Sequence, residues 1–537
     1  MAGEQVAGKA YRTYVLALLM IIYAFNFLDR QVVTIIAPYL KADMGVSDAQ
    51  IGLLFGTAFA LFYAVFGLPL AKLADGWNRV RTISIGLGFW SFMTAISGFT
   101  STFGQLGSAR IGVGVGEASA SPASYSLLQD YFPKSVRATV LALYSAGIYI
   151  GSGASLIFGG EVIKYWEANY TAETAPLGLA GWQATYLAFG IPGIILAILM
   201  WFTVREPVRG AIDGMPTPGL PNPMRAVMAE FAAMLPPWNW RGFARLETGR
   251  ATLTRNIALF LALVVGTALV ISFTDGLLAP AKRAVVGQIG SLAITTNMVQ
   301  WVALAVGIYC VGSWIQTIRL RDPVSYALMA NPGFIGLTIA GGLMSYISYG
   351  LSPFIFLYAK QSFGVGAESG LTLGLITAIG GGLGASFGGV FGDWLRKRHP
   401  GGRVLVMIIA ALGSAVTIYA SYSVESVSAF YAFAGINIFI HIMWLGPCAA
   451  TIQDLVLPRM RGTATAVFFL GTTILGLGLG PYLVGLVSDV TGDLRFALMG
   501  TLAVMPLILI AMVIALRRVP ALETSLIDRA RAAGEAV

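Results

Sequence analysis

The sequence predicts an all-α polytopic membrane protein, two six-helix bundles with two additional spans inserted between them. Three observations carry that expectation. The 537-residue chain is 57% hydrophobic and only 11% charged, where an ordinary soluble domain is about one quarter charged. Apolar runs long enough to cross a bilayer, about 20 residues each, recur in two sets of six. Two polar landmarks of the first set return at matching places in the second.

The chain opens with a short polar segment, 1–13, carrying Lys9 and Arg12 ahead of the first span at 14–38. That run is longer than a signal-peptide core and no small-residue cleavage site follows it, so it reads as a retained span. The next five spans fall at 48–72, 82–102, 106–129, 137–160 and 183–204, completing an N-terminal bundle over 14–204. The second set falls at 332–357, 369–391, 403–423, 427–450, 462–487 and 494–516, a C-terminal bundle over 332–516. A tail, 517–537, closes the chain.

The middle, 205–331, begins with Pro207, Pro216, Pro218, Pro221, Pro223, Pro236 and Pro237. Proline breaks the helical hydrogen-bond ladder, so this stretch is expected to be a linker without a helix. Beyond it, "NIALFLALVVGTALVISF" (256–273) and "SLAITTNMVQWVALAVGIYCVGSWI" (291–315) are each long enough to span. Two inserted spans keep both halves in the same orientation, giving fourteen in all. Amphipathic helices lying on the membrane are the weaker reading, because neither run shows a charged face.

The net charge of +9 raises the question of a nucleic-acid partner. With the N-terminus in the cytoplasm, 26 of the 34 basic residues fall on cytoplasmic segments, 6 on the opposite side, and Arg30 and Arg110 inside spans. That is the positive-inside bias of a membrane protein with both termini cytoplasmic, and it argues against nucleic acid. Cys310 and Cys448 lie in apolar runs as small core residues and form no disulfide framework. The expected setting is a bacterial inner membrane.

"LQDYFPKSVRATVLA" (128–142) matches "IQDLVLPRMRGTATA" (452–466), with Gln-Asp preceding Arg at the same spacing in both. "LAKLADGWNRVR" (70–81) matches "FGGVFGDWLRKR" (387–398), each ending a span with Asp and then closely spaced basic residues. Matching landmarks in matching places imply an internal duplication. Two duplicated six-span halves joined by a long linker resemble the major facilitator transporters over the whole chain apart from 210–325.

That resemblance makes segment 70–81 similar to the superfamily's loop signature. Asp75, Arg79 and Arg81 match it, Gly76 and Asn78 depart from it, and Asp393 and Arg396 are the counterparts in the second half. The resemblance implies a cytoplasmic gate in which such a pair latches the loop to a neighbouring helix end. An exposed latch contributes about 0–1 kcal/mol, weak enough to open. Equally, Arg79 and Arg81 are ordinary topology signals and Asp75 shapes the turn.

The chemistry lies in two spans. "NFLDRQ" (26–31) puts Asn26, Asp29 and Arg30 near mid-depth of the first span. Arg30 is about 15 Å of helix rise from Lys41, too far for its side chain to reach headgroups. A charge there costs about 2.5–3.5 kcal/mol on insertion, so it faces a wet cavity or a partner. Asp29 and Arg30 are about 100° apart around the helix and point at different neighbours.

"RIGVGVGEAS" (110–119) puts Arg110 and Glu117 on one face of the fourth span, about 10.5 Å apart along its axis. They flank a site more readily than they bond each other. Gly112, Gly114 and Gly116 between them let another helix approach closely; no strand precedes them, so they form no phosphate loop. Desolvation and a nearby Arg move a carboxyl group's proton affinity in opposite directions. Asp29 and Glu117 are therefore proton-coupling candidates, and fixed ion pairs with Arg30 or Arg110 are the plainer alternative.

Aligning Gln129 with Gln453 sets His441 opposite Glu117. A lone His in an apolar span is more often a packing residue than a ligand, and His399 lies in a basic loop. The remaining C-terminal spans carry almost no charge. One charged wall and one apolar wall suit an amphipathic solute better than a sugar.

"NFLDRQ", "LADGWNRVR" and "RIGVGVGEAS" together resemble the spinster family of the superfamily. The resemblance implies export of lysophospholipids or sphingoid-base phosphates, with Asp29 and Glu117 in proton coupling and Arg30 and Arg110 in headgroup recognition. Asn26 and His441 join the candidate headgroup or charge partners. The organic-anion:proton symporters, which take small carboxylates or sugar acids, stand as the alternative. A non-transporting lipid sensor is a third reading, lowered by the absence of a soluble signalling domain. Two histidines offer no metal cluster or catalytic dyad, so neither an enzyme nor a cofactor or metal is expected. The expected partners are an amphipathic lipid, protons and the bilayer, with the chain a monomer.

Overall fold

The computed structural model describes residues 8–213, 221–246 and 249–535. The first part of the chain forms α1 (Lys9–Met44), α2 (Asp48–Phe55), α3 (Thr57–Gly76), α4 (Arg79–Ser97), α5 (Phe103–Glu117), α6 (Ala120–Tyr131), α7 (Lys134–Asn169) and α8 (Gly181–Thr203). The middle forms α9 (Pro223–Met234), α10 (Trp238–Ala244), α11 (Gly249–Leu277), the hairpin β1 (Val285–Ile289) and β2 (Leu292–Thr295), α12 (Thr296–Arg321) and α13 (Pro323–Met329). The last part forms α14 (Pro332–Leu351), α15 (Ile355–Phe363), α16 (Ser369–Leu375), α17 (Gly381–Arg396), α18 (Gly402–Ser421), α19 (Val427–Ile442) and α20 (Leu445–Asp454). It closes with α21 (Arg461–Thr472), α22 (Gly480–Thr491), α23 (Leu494–Gly500), α24 (Met505–Thr524) and α25 (Leu526–Ala532).

The helix starts are written in side chains. Ser47 accepts from the Gln50 amide while Gln50 reaches back to the Ser47 amide, a capping box for α2. Asn78, which departs from the loop signature, caps α4 by accepting from the Arg81 amide at 2.8 Å. Thr102, Asn331 and Ser426 cap α5, α14 and α19 in the same way.

The chain folds into two compact units. One contains Met1–Met44, Phe62–Phe231 and Gly366–Gly374; the other contains Gly45–Leu61, Ala232–Val365 and Leu375–Val537. In the first, glycines set the helix spacing. A Cβ on Gly147 of α7 would sit 2.9 Å from the Met20 carbonyl of α1, and one on Gly190 of α8 would sit 2.5 Å from the Ala95 amide of α4. The short segment 366–374 joins this unit because Gly160 accepts the Ala367 carbonyl 2.6 Å from where its Cβ would be. In the second unit a Cβ on Gly52 of α2 would fall 2.8 Å from Tyr482 Cα of α22. Such backbone-to-backbone approaches need glycine, and they are what a membrane helix bundle uses in place of the hydrophobic effect.

Twelve helices among the described residues are long and apolar enough to cross a membrane, the inserted Gly249–Leu277 and Thr296–Arg321 included. The third and fourth expected spans fall short by the same measure. The third, α4, has 19 residues and opens on Arg79 and Arg81. The fourth, expected to be continuous over 106–129, is divided into α5 and α6 directly after Glu117.

Two expectations for the middle are corrected. The proline-rich stretch does sustain helices: Pro223 is the first residue of α9, where its missing N–H costs nothing, and α10 starts directly after Pro237. Residues 214–220, with Pro216 and Pro218, lie outside the described residues. The span expected from 291 starts at Thr296, because 292–295 pairs antiparallel with 285–289 across a tight turn in which Gly290 has φ +59°.

Candidate functional site

α1 and α5 bring the charges of "NFLDRQ" and "RIGVGVGEAS" together inside the first unit. Arg30 Nη2 donates to Glu117 Oε2 at 2.8 Å and to Asn26 Oδ1 at 3.4 Å. The guanidinium also lies 4.7 Å from the Phe27 ring centroid and 5.3 Å from that of Tyr63, within cation–π range. Glu117 is fully buried and Arg30 nearly so. Of the alternatives left open by the sequence, Glu117 is paired with Arg30 and not with Arg110.

Arg110 takes a different partner. Its Nη1 donates to the main-chain carbonyl of Asp29 at 2.9 Å. Arg110 and Glu117 thus each reach α1, one residue apart along it, and do not bond one another. The 100° offset of Asp29 and Arg30 turns their side chains to different neighbours, Arg30 to Glu117 and Asp29 toward Trp90 and Thr94 of α4.

Asp29 is fully buried, and neither of its carboxyl oxygens makes a hydrogen bond among the described residues. Trp90 and Thr94 of α4 and Arg110 of α5 are its polar neighbours, and Tyr186 of α8 lies close to both Asp29 and Arg110. Trp90 Nε1, Thr94 Oγ1, Tyr186 OH and Arg110 Nη2 are likewise without hydrogen bonds. A buried polar group left so is costly. Trp90, Thr94 and Tyr186 were not singled out by sequence: neutral residues are common in spans and carry no signal there.

The glycines between Arg110 and Glu117 pack α5 on α4. A Cβ on Gly116 would meet Trp90 Cβ at 2.8 Å and one on Gly112 would meet the Met93 side chain at 2.7 Å. An open cleft of about 560 Å³ between α4 and α5, lined by Met93, Ile96, Phe99, Thr100, Gly104, Gln105, Ser108 and Ala109, carries no ionisable side chain. His441 lies in the second unit, buried on α19, with Nε2 at 3.1 Å from the Met344 carbonyl.

The expected gate residues separate. Arg79 at the start of α4 is buried and pairs with Asp130 at the end of α6 and with Glu206 at 2.6 Å, and it donates to the Ser126 and Pro207 carbonyls. It is not the weak exposed latch the sequence suggested. Burial and the acceptors from Asp130, Glu206, Ser126 and Pro207 make it a strong joint between the ends of α4 and α6 and the chain after α8. Arg81 is exposed and stacks over Trp201 at 5.6 Å. Asp75 is in the last turn of α3, and its side chain lies outside the described residues.

The second unit repeats the joint with its parts divided. Arg396 pairs with Asp454 and with Glu523 at 2.9 Å, while Arg403 bridges Asp393 and Asp454, each at 2.6 Å. Arg403 was missed by sequence reasoning. Its signal was available: Arg403 and Asp454 are 51 residues apart, as are Arg79 and Asp130. No cluster of His, Cys, Asp and Glu able to hold a metal is found among the described residues.

Two duplicated helical halves, each with a basic joint at its helix ends and the first with charges buried inside it, define a membrane transporter rather than an enzyme. The chain belongs to the Major Facilitator Superfamily, whose family model matches residues 19–481, and within it the chain is spinster-like. It is 27% identical to human Protein spinster homolog 1 over 482 residues, 88% of this chain and 72% of that protein. It is 24% identical to an MFS-type efflux pump of Mycolicibacterium smegmatis over 485 residues, 90% and 86% of the two chains. A 198-residue stretch, 37% of this chain and 40% of the other, is 28% identical to a probable L-galactonate transporter of Escherichia coli. A crystal structure of a bacterial homolog to the human lysosomal transporter Spinster, inward-facing and occupied, shares the fold. It has a TM-score of 0.63 and 24% identity, covering 98% of this chain and 97% of that one.

Proposed function

We propose that this transporter moves an amphipathic lipid, such as a lysophospholipid or sphingoid-base phosphate, by alternating access coupled to protons. The observation that carries the reading is the buried Arg30–Glu117 pair beside the unbonded Asp29 carboxyl, all within the first unit; in the second, buried His441 meets the main-chain carbonyl of Met344. In this reading Asp29 and Glu117 carry protons. Arg30, Arg110, Asn26 and His441 meet the headgroup or its charge, and an anionic headgroup competes with Glu117 for Arg30. Protonating Glu117 frees Arg30 for that anion, so one event drives the other. Asp75, Arg79, Arg81, Asp393 and Arg396 with Arg403 form the cytoplasmic gate, and the chain resides in a bacterial inner membrane with both termini cytoplasmic.

The similarity to human Protein spinster homolog 1 across most of the chain supports the lipid reading. A second reading, a small-carboxylate or sugar-acid symporter, draws on the partial similarity to the probable L-galactonate transporter. Proteoliposomes under an imposed pH gradient separate the two: uptake of a labelled lysolipid supports the first, uptake of a sugar acid alone the second. Substrate-dependent proton flux in the same vesicles is expected, and its absence for both solutes would favour a lipid sensor.

A further inference from the structure

The inserted helices α11 and α12 are not needed to complete either six-helix half, yet they are bonded to one particular helix. In the second compact unit α22 is held from two sides. On one side lies α2: Asp489 accepts from the Asp48 amide at 3.1 Å and the Ala49 amide at 2.9 Å, and Ser488 Oγ donates to Asp48 Oδ2 at 2.6 Å. Gly52 and Gly485 bring the two backbones into contact. Thr57, just after α2, donates to the Gly478 carbonyl at 2.6 Å.

On the other side lies the inserted pair, and it bonds the same two residues. Lys282 Nζ donates to the Asp489 carbonyl at 2.5 Å, and Gln300 Nε2 of α12 donates to the Gly478 carbonyl at 2.8 Å. Between these ends Tyr482 OH donates to Asn297 Oδ1 at 2.9 Å, and Asn297 Nδ2 is itself fixed by Asp275 at 2.8 Å. Gly478 follows a π-helical turn, Thr473–Leu477, where the regular ladder is interrupted and carbonyls are available to outside donors. The insertion therefore bonds the chain just before α22, its first turn and its last turn, and two of these residues, Gly478 and Asp489, also accept from α2 or Thr57.

α2 and α22 come from opposite halves of the duplicated sequence, so their docking belongs to one side of an alternating-access cycle. A contact made in only one of two states shifts the population toward that state. We propose that the inserted pair is a conformational clamp: it holds α22 in the position that receives α2 and weights the transporter toward the state in which the two are docked. The clamp needs no substrate, so it stands apart from the lipid reading.

Hydrogen exchange on the full-length protein in lipid nanodiscs tests it. In Lys282→Ala/Asn297→Ala/Gln300→Ala, exchange in 48–55 and 480–491 is expected to rise by about threefold or more, while peptides of α1 and α18 stay at wild-type levels. The single variant Gln300→Leu, which removes only the Gly478 bond, gives a smaller rise in the same peptides. Faster exchange confined to α11 and α12 makes the insertion an appendage and overturns the proposal. So does an equal rise at 48–55 in Asn239→Ala, which breaks a polar network within the middle segment, distant in sequence from these contacts.

Discussion

Arg79 and Glu206 form an ion pair of 2.6 Å across 127 residues of sequence, and Arg396 and Glu523 form one of 2.9 Å across the same 127 residues. The duplication inferred from short motifs is therefore carried into the ion pairs that join helix ends in each half. The two joints differ in one respect with consequences: in the first half a single arginine, Arg79, pairs with both carboxylates, whereas in the second half Arg396 and Arg403 share Asp454.

Arg79→Ala takes the guanidinium from Asp130 and Glu206, leaving them only the Gly210 and Val80 amides, and removing one partner of a largely buried ion pair costs about 3–5 kcal/mol. Arg396 is one-third exposed and leaves Asp454 with Arg403, so Arg396→Ala is expected to cost about 0–1 kcal/mol. Thermal unfolding in detergent, followed by intrinsic fluorescence, checks both; equal losses would refute the distinction.

Glu117→Gln keeps a hydrogen-bond acceptor for Arg30 but removes the titrating group. Lysolipid flux driven by a pH gradient is expected to fall to background, while exchange down a lipid gradient persists. Retained pH-driven flux would remove Glu117 from the coupling. Arg30→Ala leaves Glu117 buried without its partner and costs about 3–5 kcal/mol of stability as well.

Gly116→Ala forces a methyl to 2.8 Å from Trp90 Cβ, an overpacking worth about 1–3 kcal/mol. Gly382→Ala on α17 meets nothing within 4 Å and is expected to stabilise by about 0.5–1 kcal/mol through lower unfolded-chain entropy. The two unfolding midpoints should move in opposite directions.

The tail gives a pH dependence outside the membrane. Burial alone would raise the Asp322 carboxyl, but hydrogen bonds from Ser325 and the Arg459 guanidinium outweigh it and hold the group below its ordinary range. Arg459 lowers Glu535 chiefly through its hydrogen bonds. A carboxylate depressed in the folded state contributes stability that is complete above its unfolded value, about 4, and is lost as pH falls through the folded value. Amide protection in 526–535, taken relative to the intrinsic exchange rate at each pH, should accordingly be flat from pH 7 to 5 and fall toward pH 3, and Arg459→Ala should abolish that dependence.

Most of the spans and the four buried charges were legible, the charges because an ionisable residue in an apolar run is expensive and has few explanations. Asp29, Arg30, Arg110 and Glu117 do come together. Their pairing was not legible: azimuth along each helix says which face a side chain takes, but the choice of Arg30 for Glu117 depends on how α5 is set against α1. Trp90, Thr94 and Tyr186 escaped because only packing, not composition, distinguishes them from other neutral residues. The hairpin at 285–295 was hidden by its own apolarity, which a span pattern absorbs, and the break after Glu117 by the absence of proline or an unusual φ there.

Arg110 is tied to the carbonyl of residue 29 and not to its carboxylate. Every amino acid supplies that oxygen, so the bolt between the two helices survives any replacement of the acid, Asp29→Asn or Asp29→Ser alike. The scaffold and the titrating group are thereby independent traits. If position 29 carries the proposed coupling, its chemistry can be rewritten, by selection or by design, on an assembly that does not have to be rebuilt each time.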